Sequence, residues 1–578
     1  MRHFKYTKLL FAFLGLLFFG MNNSQATHQT GLDMTFECVG PCTYRLIHKA
    51  YYDCCGAAFS GYTPIPGNGA PGVGAVTWTG IPVGCSPLPR LITNWTLAAN
   101  GINDVTPVCG SVVTTCKLAP PHPAGVICGM AEITFTAEYD VCGAGGTIPC
   151  TAYRFGWGSC CRNTVITSGA DNQGLATNNT IIDLSVTPCN NSPTFLEPPI
   201  SFICLPAPGQ IQVYNQGAID PDGDSLAYQL VTCKTGTNNA AVTYNTGFSF
   251  LQPLGPNWTV TLDPFTGDIT FDPTPGSIEI AVICFEVREY RNGVLIGTVT
   301  RDMQVQVINA NCGQPPQLTA QNYTLGNVPI NPLTTSVISA CTGAELCFEI
   351  PIANPDTFMY QISWTNRGLA GATFVNAANG APAPFSVDGR VSTPTGRFCW
   401  TPTGPGIYFF TVRAADDNCP LNGVQDQTFT IRVNEVLNRS TATAVKLPNC
   451  NEVQLCAQPF STINSPYANT FTYSWSGNGN LDSTNQYIAP FLNDSCLTHS
   501  YPRPGNYFYD VVVTDTFGCE FNYRGFMNVV GQVSADAGPD LTICSGFQYQ
   551  IGTAALPNQL YRWTPPGGLS NPTLAQLP

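Results

Sequence analysis

The sequence predicts an all-β chain, with tandem β-sandwich domains after a Cys-rich β domain at the N-terminus. Three observations predict it. Short stretches of alternating apolar residues recur between turns rich in the 55 glycines and 48 prolines, the pattern of half-buried strands and tight turns. A Pro-Gly pair precedes such a strand three times, in TPGSIEIAVICFEV (274–287), GPGIYFFTVRAADD (404–417) and RPGNYFYDVVVTDT (503–516). One cysteine spacing occurs twice: Cys341, Cys347, Cys399 and Cys419 have gaps of 6, 52 and 20, and Cys450, Cys456, Cys496 and Cys519 have gaps of 6, 40 and 23.

The chain begins MRHFKYTKLLFAFLGLLFFGMNNSQA. Arg2, Lys5 and Lys8 make a basic stretch, Leu9–Gly20 an apolar one, and Ser24-Gln25-Ala26 a small-x-small cleavage site. Residues 1–26 therefore read as a secretory signal peptide. An uncleaved anchor is the rival reading, but the apolar run falls short of the ~20 residues a span needs. After cleavage the chain is expected to be extracellular or at the cell surface and not membrane-spanning.

Residues 27–190 hold 13 of the 26 cysteines, including the adjacent pairs Cys54-Cys55 and Cys160-Cys161. In an exported protein these read as disulfides. An odd count sends at least one bridge out of the region. Alternation in TYRLIHKAYYDC (43–54) and AEITFTAEYDVC (131–142) predicts strands, and GYTPIPGNGAPGVGA (61–75) a loop.

Sandwiches follow at 195–312, 316–435 and 440–533, the Pro-Gly pairs lying about one domain of ~100 residues apart. YQISW (360–364), YSW (473–475) and YRW (561–563) each place a Trp on a mid-domain strand. Such a Trp packs across a sandwich core, with an exposed ligand-binding Trp as the alternative. Residues 534–578 start a further domain and lack its Pro-Gly return strand, so the sequence is expected to be truncated there. From the repeated spacing we expect inner bridges Cys347–Cys399 and Cys456–Cys496, and outer bridges Cys341–Cys419 and Cys450–Cys519. The other pairings stay open, since four cysteines allow three connectivities.

Charged residues are 10% of the chain and the formal net charge is −13. That balance excludes a nucleic-acid partner, which needs basic patches, and suits divalent cations. AIDPDGDSLAY (218–228) places Asp220, Asp222 and Asp224 around one turn. It is no EF-hand, because positions 6 and 12 hold Ser225 and Val231 instead of Gly and Glu. Three carboxylates so close repel one another unless a cation or solvent intervenes. The expectation is a structural calcium ion on Asp220, Asp222 and Asp224, with Asp263 and Asp268 as distant candidates; the alternative is a bare acidic turn.

The stretches DPDGDSLAYQL, LDPFTGDITFDPTPG and CFEVREYRNGVLIGTVTRDMQVQV resemble the cadherin-like or Ig-like module of large bacterial surface proteins. Those are the PKD-domain, gliding-motility-associated proteins, typically exported by the type IX secretion system. YPRPGNYFYDVVVTDTFGC is similar to the PKD signature, in which a Tyr-x-x-Pro-Gly-x-Tyr strand ends in Val-Thr-Asp. The segment THQTGLDMTFECVG…YRLIHKAYYDC resembles the family's start, with Gly31-Leu32-Asp33 and Tyr52-Asp53-Cys54 where Gly-Gly-Glu and Arg-Asp-Cys are usual. The resemblance implies Ig-like and PKD-like sandwiches, calcium on the DPDGD segment, and a role in adhesion or gliding.

No catalytic constellation stands out. The four histidines after the signal, His28, His48, His122 and His499, form no HExxH pair, and there is no G-x-S-x-G elbow or P-loop. Cys38 and Cys42 are separated by three residues instead of the two of a redox motif. The expected function is a non-catalytic secreted or cell-surface array of sandwiches, structural and adhesive, with a glycan or protein ligand of unknown identity. The alternative is a glycan-binding or accessory portion of a secreted polysaccharide-degrading enzyme, for which Trp78, Trp95 and Trp157 are candidate exposed aromatics.

Overall fold

The computed structural model describes residues 29–577 except 56–77, 86–88, 119–125, 143–147, 160–161, 171–172, 206–209, 236–239, 275, 310–314, 326–327, 330–335, 354–357, 435–440, 450–451, 459–470, 478–490, 493–494, 502, 516–518, 531–535, 556–559 and 574–575. The signal segment lies outside these residues. Apart from a single 3-10 turn, Thr115–Lys117, the regular elements among the described residues are β-strands.

Two compact units divide the chain. One comprises residues 1–339, 344–402 and 406–432, the other 340–343, 403–405 and 433–578.

In the first unit, the two strands expected from alternation in the Cys-rich region are present and pair with each other. Thr43–Asp53 lies between Gln29–Gly40 and Met130–Asp140, with Ile47 opposite Thr35 and Thr136. Leu32, Met34, Phe36, Tyr44 and Leu46 point into one core with Tyr153 and Phe155. This sheet does not stop at residue 190. The strand Val294–Ile308 pairs along one edge with Ile280–Arg291. Its other edge is shared by Leu175–Asp183, Gln29–Gly40 and Phe202–Cys204 in succession. The expected break between 27–190 and 195–312 is thus crossed by one continuous sheet.

Two buried ion pairs fix that crossing. Arg301 donates from Nε to Asp33 at 2.8 Å and also bonds the Glu197 carbonyl and Gln216, with its guanidinium 3.8 Å over the Phe195 ring. Arg162 grips Asp302 through both oxygens at 2.7 and 2.6 Å.

Residues 317–434 form a two-layer sandwich. One sheet carries Leu346–Ala353 and Thr395–Trp400, the other Met359–Asn366, Gly406–Asp416 and Val424–Asn434. Phe398 and Phe410 stack across the layers at 4.2 Å, flanked by Phe348, Phe429 and Trp364. In the second unit, Thr441–Lys446, Glu452–Gln458 and Cys496–Ser500 make one sheet, and Phe471–Gly477, Gly505–Asp515 and Glu520–Val529 lie in the other. Trp475 is buried between them with Tyr509, Val511 and Val513. The strands Gly406–Asp416 and Gly505–Asp515 begin at the glycine of their Pro-Gly pairs, whereas Ile280–Arg291 begins four residues beyond Gly276, and Pro275 lies outside the described residues.

Cys347–Cys399 and Cys456–Cys496 join directly opposed residues of neighbouring strands, with Cα separations of 4.2 and 4.1 Å. The expected outer bridges do not form. Cys419 bonds Cys109 and Cys341 bonds Cys519, at Cα separations of 5.5 and 5.6 Å, within the range a disulfide spans. Since each of these cysteines has one partner, Cys341–Cys419 and Cys450–Cys519 are excluded; Cys450 itself lies outside the described residues. Cys109–Cys419 is a bridge that leaves the odd-numbered N-terminal set. Cys544 is exposed and free.

Candidate functional site

The DPDGD turn joins Ala218–Ile219 to Ser225–Leu230. Asp220 builds it: Oδ1 accepts the backbone N–H of Asp222 at 2.9 Å and of Asp224 at 3.0 Å. Gly223 adopts φ +83°, the left-handed conformation that favours glycine. The sequence therefore makes this turn for backbone reasons and leaves one Asp220 oxygen over. That atom, Oδ2, is buried and bonded to nothing.

The three aspartates then part company. Asp222 accepts from Asn191 N at 2.9 Å and Nδ2 at 2.7 Å, and pairs with Arg291 at 3.3 Å. Asp224 takes the same guanidinium, with Nε at 2.9 Å from Oδ1. The third carboxylate that converges with Asp220 and Asp224 is Glu289, one oxygen of each lying within 4.8 Å of the others. Asp263 caps its own turn at Phe265 and Thr266, and Asp268 bonds Asn215 and Thr428.

Glu289 sits on Ile280–Arg291, opposite Leu226 on one side and Gly297 on the other. It is fully buried. Oε1 accepts from Asn190 Nδ2 at 2.7 Å, while Oε2 has no partner. A Cβ at Gly297 would collide with Oε2, so glycine there makes room for the carboxylate. Burial, reinforced by the charges of Asp220 and Asp224, pushes the Glu289 carboxyl up to about 8. Burial also raises that of Asp220.

Arg291 pairs with two of these four carboxylates, and the other two, Asp220 and Glu289, each keep a buried oxygen without a donor. A proton on Glu289 or a bound cation relieves this. The donor set is all oxygen, which suits a hard cation such as calcium, and Asp220 Oδ2 and Glu289 Oε2 are the atoms available to it. Sequence reading places Asp222 in this group and misses Glu289, which stands 65 residues beyond Asp224. The glutamate's one local signal is an acidic residue amid the apolar run IAVICFEVREY.

Of the three candidate aromatics, Trp157 is buried at 8% exposure. Trp95 packs on the same core, its Nε1 donating to the Ile92 carbonyl. The Trp78 side chain is outside the described residues.

No family model matches the chain, and no curated protein matches it. Among solved structures it is similar to a three-domain segment of titin (TM-score 0.23, 11% identity, 58% of this chain and 98% of that one). It is similar also to extracellular domains 3–5 of Drosophila OTK (TM-score 0.19, 12% identity, 59% and 97%) and to extracellular cadherin domains 3–6 of protocadherin gamma B2 (TM-score 0.15, 12% identity, 59% and 73%). At such scores the β-sandwich assignment rests on the strand pairing itself.

Proposed function

We propose that the chain is a non-catalytic extracellular or cell-surface protein whose β-sandwich modules form a structural and adhesive array. Attachment or gliding would be its setting and type IX secretion its export route, as the family resemblance implies. The supporting observation is how tightly successive modules of the first unit are bonded. Cys109–Cys419 spans 310 residues, and Arg413 lies between Glu197 and Asp426. Asn215 donates to Asp426, Thr428 and Asp268. Disulfides on this scale suit an oxidising compartment.

Calcium on Asp220, Asp224 and Glu289 belongs to this reading. The ion would tie the DPDGD turn to Ile280–Arg291 and balance their charge, supplying stiffness and no chemistry. Thermal unfolding of the full chain in millimolar calcium and in chelator tests it. A tenfold excess over Kd adds about 1.4 kcal/mol, and Asp220→Asn is expected to abolish the gain. An unchanged midpoint in the native protein removes calcium from the model. Beads coated with the chain are expected to adhere to glycan- or protein-coated surfaces more than albumin-coated beads; equal adhesion overturns the adhesive role.

A glycan-binding reading has one observation in its favour. On the outer face of the second unit, Phe508 pairs with Phe526, which is 78% exposed. Asn506 and Asn528 flank them on one side, and the Asp510–Arg524 pair on the other. An aromatic face beside amides suits a pyranose ring. Phe526→Ala is expected to lower retention on a polysaccharide affinity gel, and unchanged retention excludes that face.

A further inference from the structure

A cavity of about 320 Å³ opens in the first unit where four stretches of chain meet, one of them contributing Tyr214 and Gln216. Val105–Pro107 comes from the N-terminal region, 197–204 from the segment after it, and Arg413 and 421–424 from the Phe-rich sandwich. The walls are held covalently, since Cys109 bonds Cys419 and its N–H donates to the Pro420 carbonyl at 3.3 Å. Pro107, Pro198, Pro199, Ile200, Leu421 and Val424 make most of the lining apolar.

The polar groups in that lining are unbalanced. Arg413 donates Nη1 to Glu197 at 2.5 Å, and its Nε and Nη2 to Asp426 at 2.8 Å each. Gln216 is spent as well, its amide nitrogen on the Pro198 and Asn215 carbonyls and its oxygen on Arg301. Three of the five Arg413 N–H groups are thus engaged, all of them on carboxylates. Acceptors are left over. Asn422 Oδ1 and Ser201 Oγ are buried with no hydrogen-bond partner, and among the described residues the second Glu197 oxygen accepts no bond. Charge points the same way. Arg301 is matched by Asp33, and Arg367 lies near Asp268. Arg413 is left as one cation between two carboxylates.

We propose that this cavity binds a primary alkylammonium group. The apolar stem would lie along the proline-rich walls, and the ammonium, three donors and no acceptor, would meet Glu197, Asn422 and Ser201. A carboxylate or phosphate would add a third negative charge around the single Arg413 cation.

The test uses the full chain and calorimetric titration with n-hexylamine, Nα-acetyl-lysine N-methylamide and 1-hexanol. The amines are expected to bind at least tenfold more tightly than the alcohol, which has the same stem without the charge. Tighter binding of the blocked lysine assigns the site to a lysine side chain of a polypeptide, and tighter binding of hexylamine assigns it to a free alkylamine. Asn422→Leu and Glu197→Gln are each expected to weaken amine binding about tenfold. Failure of both amines to bind at 10 mM, or binding of hexanol as tight as hexylamine, overturns the proposal. If a variant fails to fold, the amine-to-alcohol ratio on the native chain still decides.

Discussion

Arg301 is the residue whose loss the first unit should feel most. Its side chain is 1% exposed and that of Asp33 2%. Arg301→Met leaves the Asp33 carboxylate buried with the Tyr51 hydroxyl, 3.0 Å away, and without its cation. Removing one member of a buried ion pair costs about 3–5 kcal/mol. The guanidinium over Phe195 is a further loss of about 1 kcal/mol, partly restored by the methionine stem. The expected total is about 4 kcal/mol, or on the order of 5 °C in the midpoint of a unit this large. Asp33→Leu in the same chain removes the stranded charge, so the double variant should recover more than half of the loss. Guanidinium unfolding followed by tryptophan fluorescence measures both, with the second unit's transition as an internal reference. A loss under 1 kcal/mol in the single variant, or a double variant no more stable than the single, would refute the claim that this pair locks the N-terminal sheet to the strand Val294–Ile308.

Acid should weaken the same region through His48. Burial against Trp95, Phe135 and Trp157 pushes its imidazole from 6.5 down to about 3. The unfolded chain takes up this proton first, so the contribution is full above pH 6.5 and is lost as pH falls toward 3, at about 1.4 kcal/mol per unit. Between pH 6.5 and 5 the native chain should lose about 2 kcal/mol that His48→Phe does not, and parallel pH profiles of the two midpoints would exclude the residue. At the acidic cluster, Gly297→Ala drives a methyl group into Glu289 Oε2 without altering any carboxylate. It should abolish a calcium-induced rise in midpoint; a rise equal to that of the native chain would show that Glu289 takes no part.

Local periodicity carried most of the fold. TYRLIHKAYYDC and AEITFTAEYDVC alternate because one face of each strand meets the core, and the two are neighbours in the sheet. Pro-Gly before an alternating run marks a strand start, since proline fixes the turn and cannot continue a ladder. The junctions left no such trace. That Val294–Ile308 offers an edge to Gln29–Gly40 depends on Arg301 and Asp302 finding Asp33 and Arg162, and those partners are 268 and 140 residues away in sequence. Repeated cysteine gaps located the two bridges between adjacent strands, where spacing follows strand length. They misplaced the outer ones, because Cys109 competes for Cys419 from a different part of the chain. At the DPDGD turn the sequence showed which residues crowd together, but not that Arg291 would claim Asp222 and Asp224.

The disulfides also determine how a pulling force would run through the first unit. From Cys38 a continuous covalent route passes to Cys42, across to Cys142, back to Cys128 and across to Cys55. It then steps to Cys54, crosses to Cys116, runs back to Cys109 and crosses to Cys419. The peptide it traverses, 38–42, 142–128, 55–54 and 116–109, amounts to about 26 Cα–Cα steps, on the order of 90 Å when taut. Every loop outside that route, including the Asp220 turn and all of Ile280–Ile308, is bypassed. Tension applied between Cys38 and Cys419 could extend the protein no further than this route, because once it is taut the sulfur–sulfur bonds carry the load and the bypassed loops cannot be drawn out to their own length.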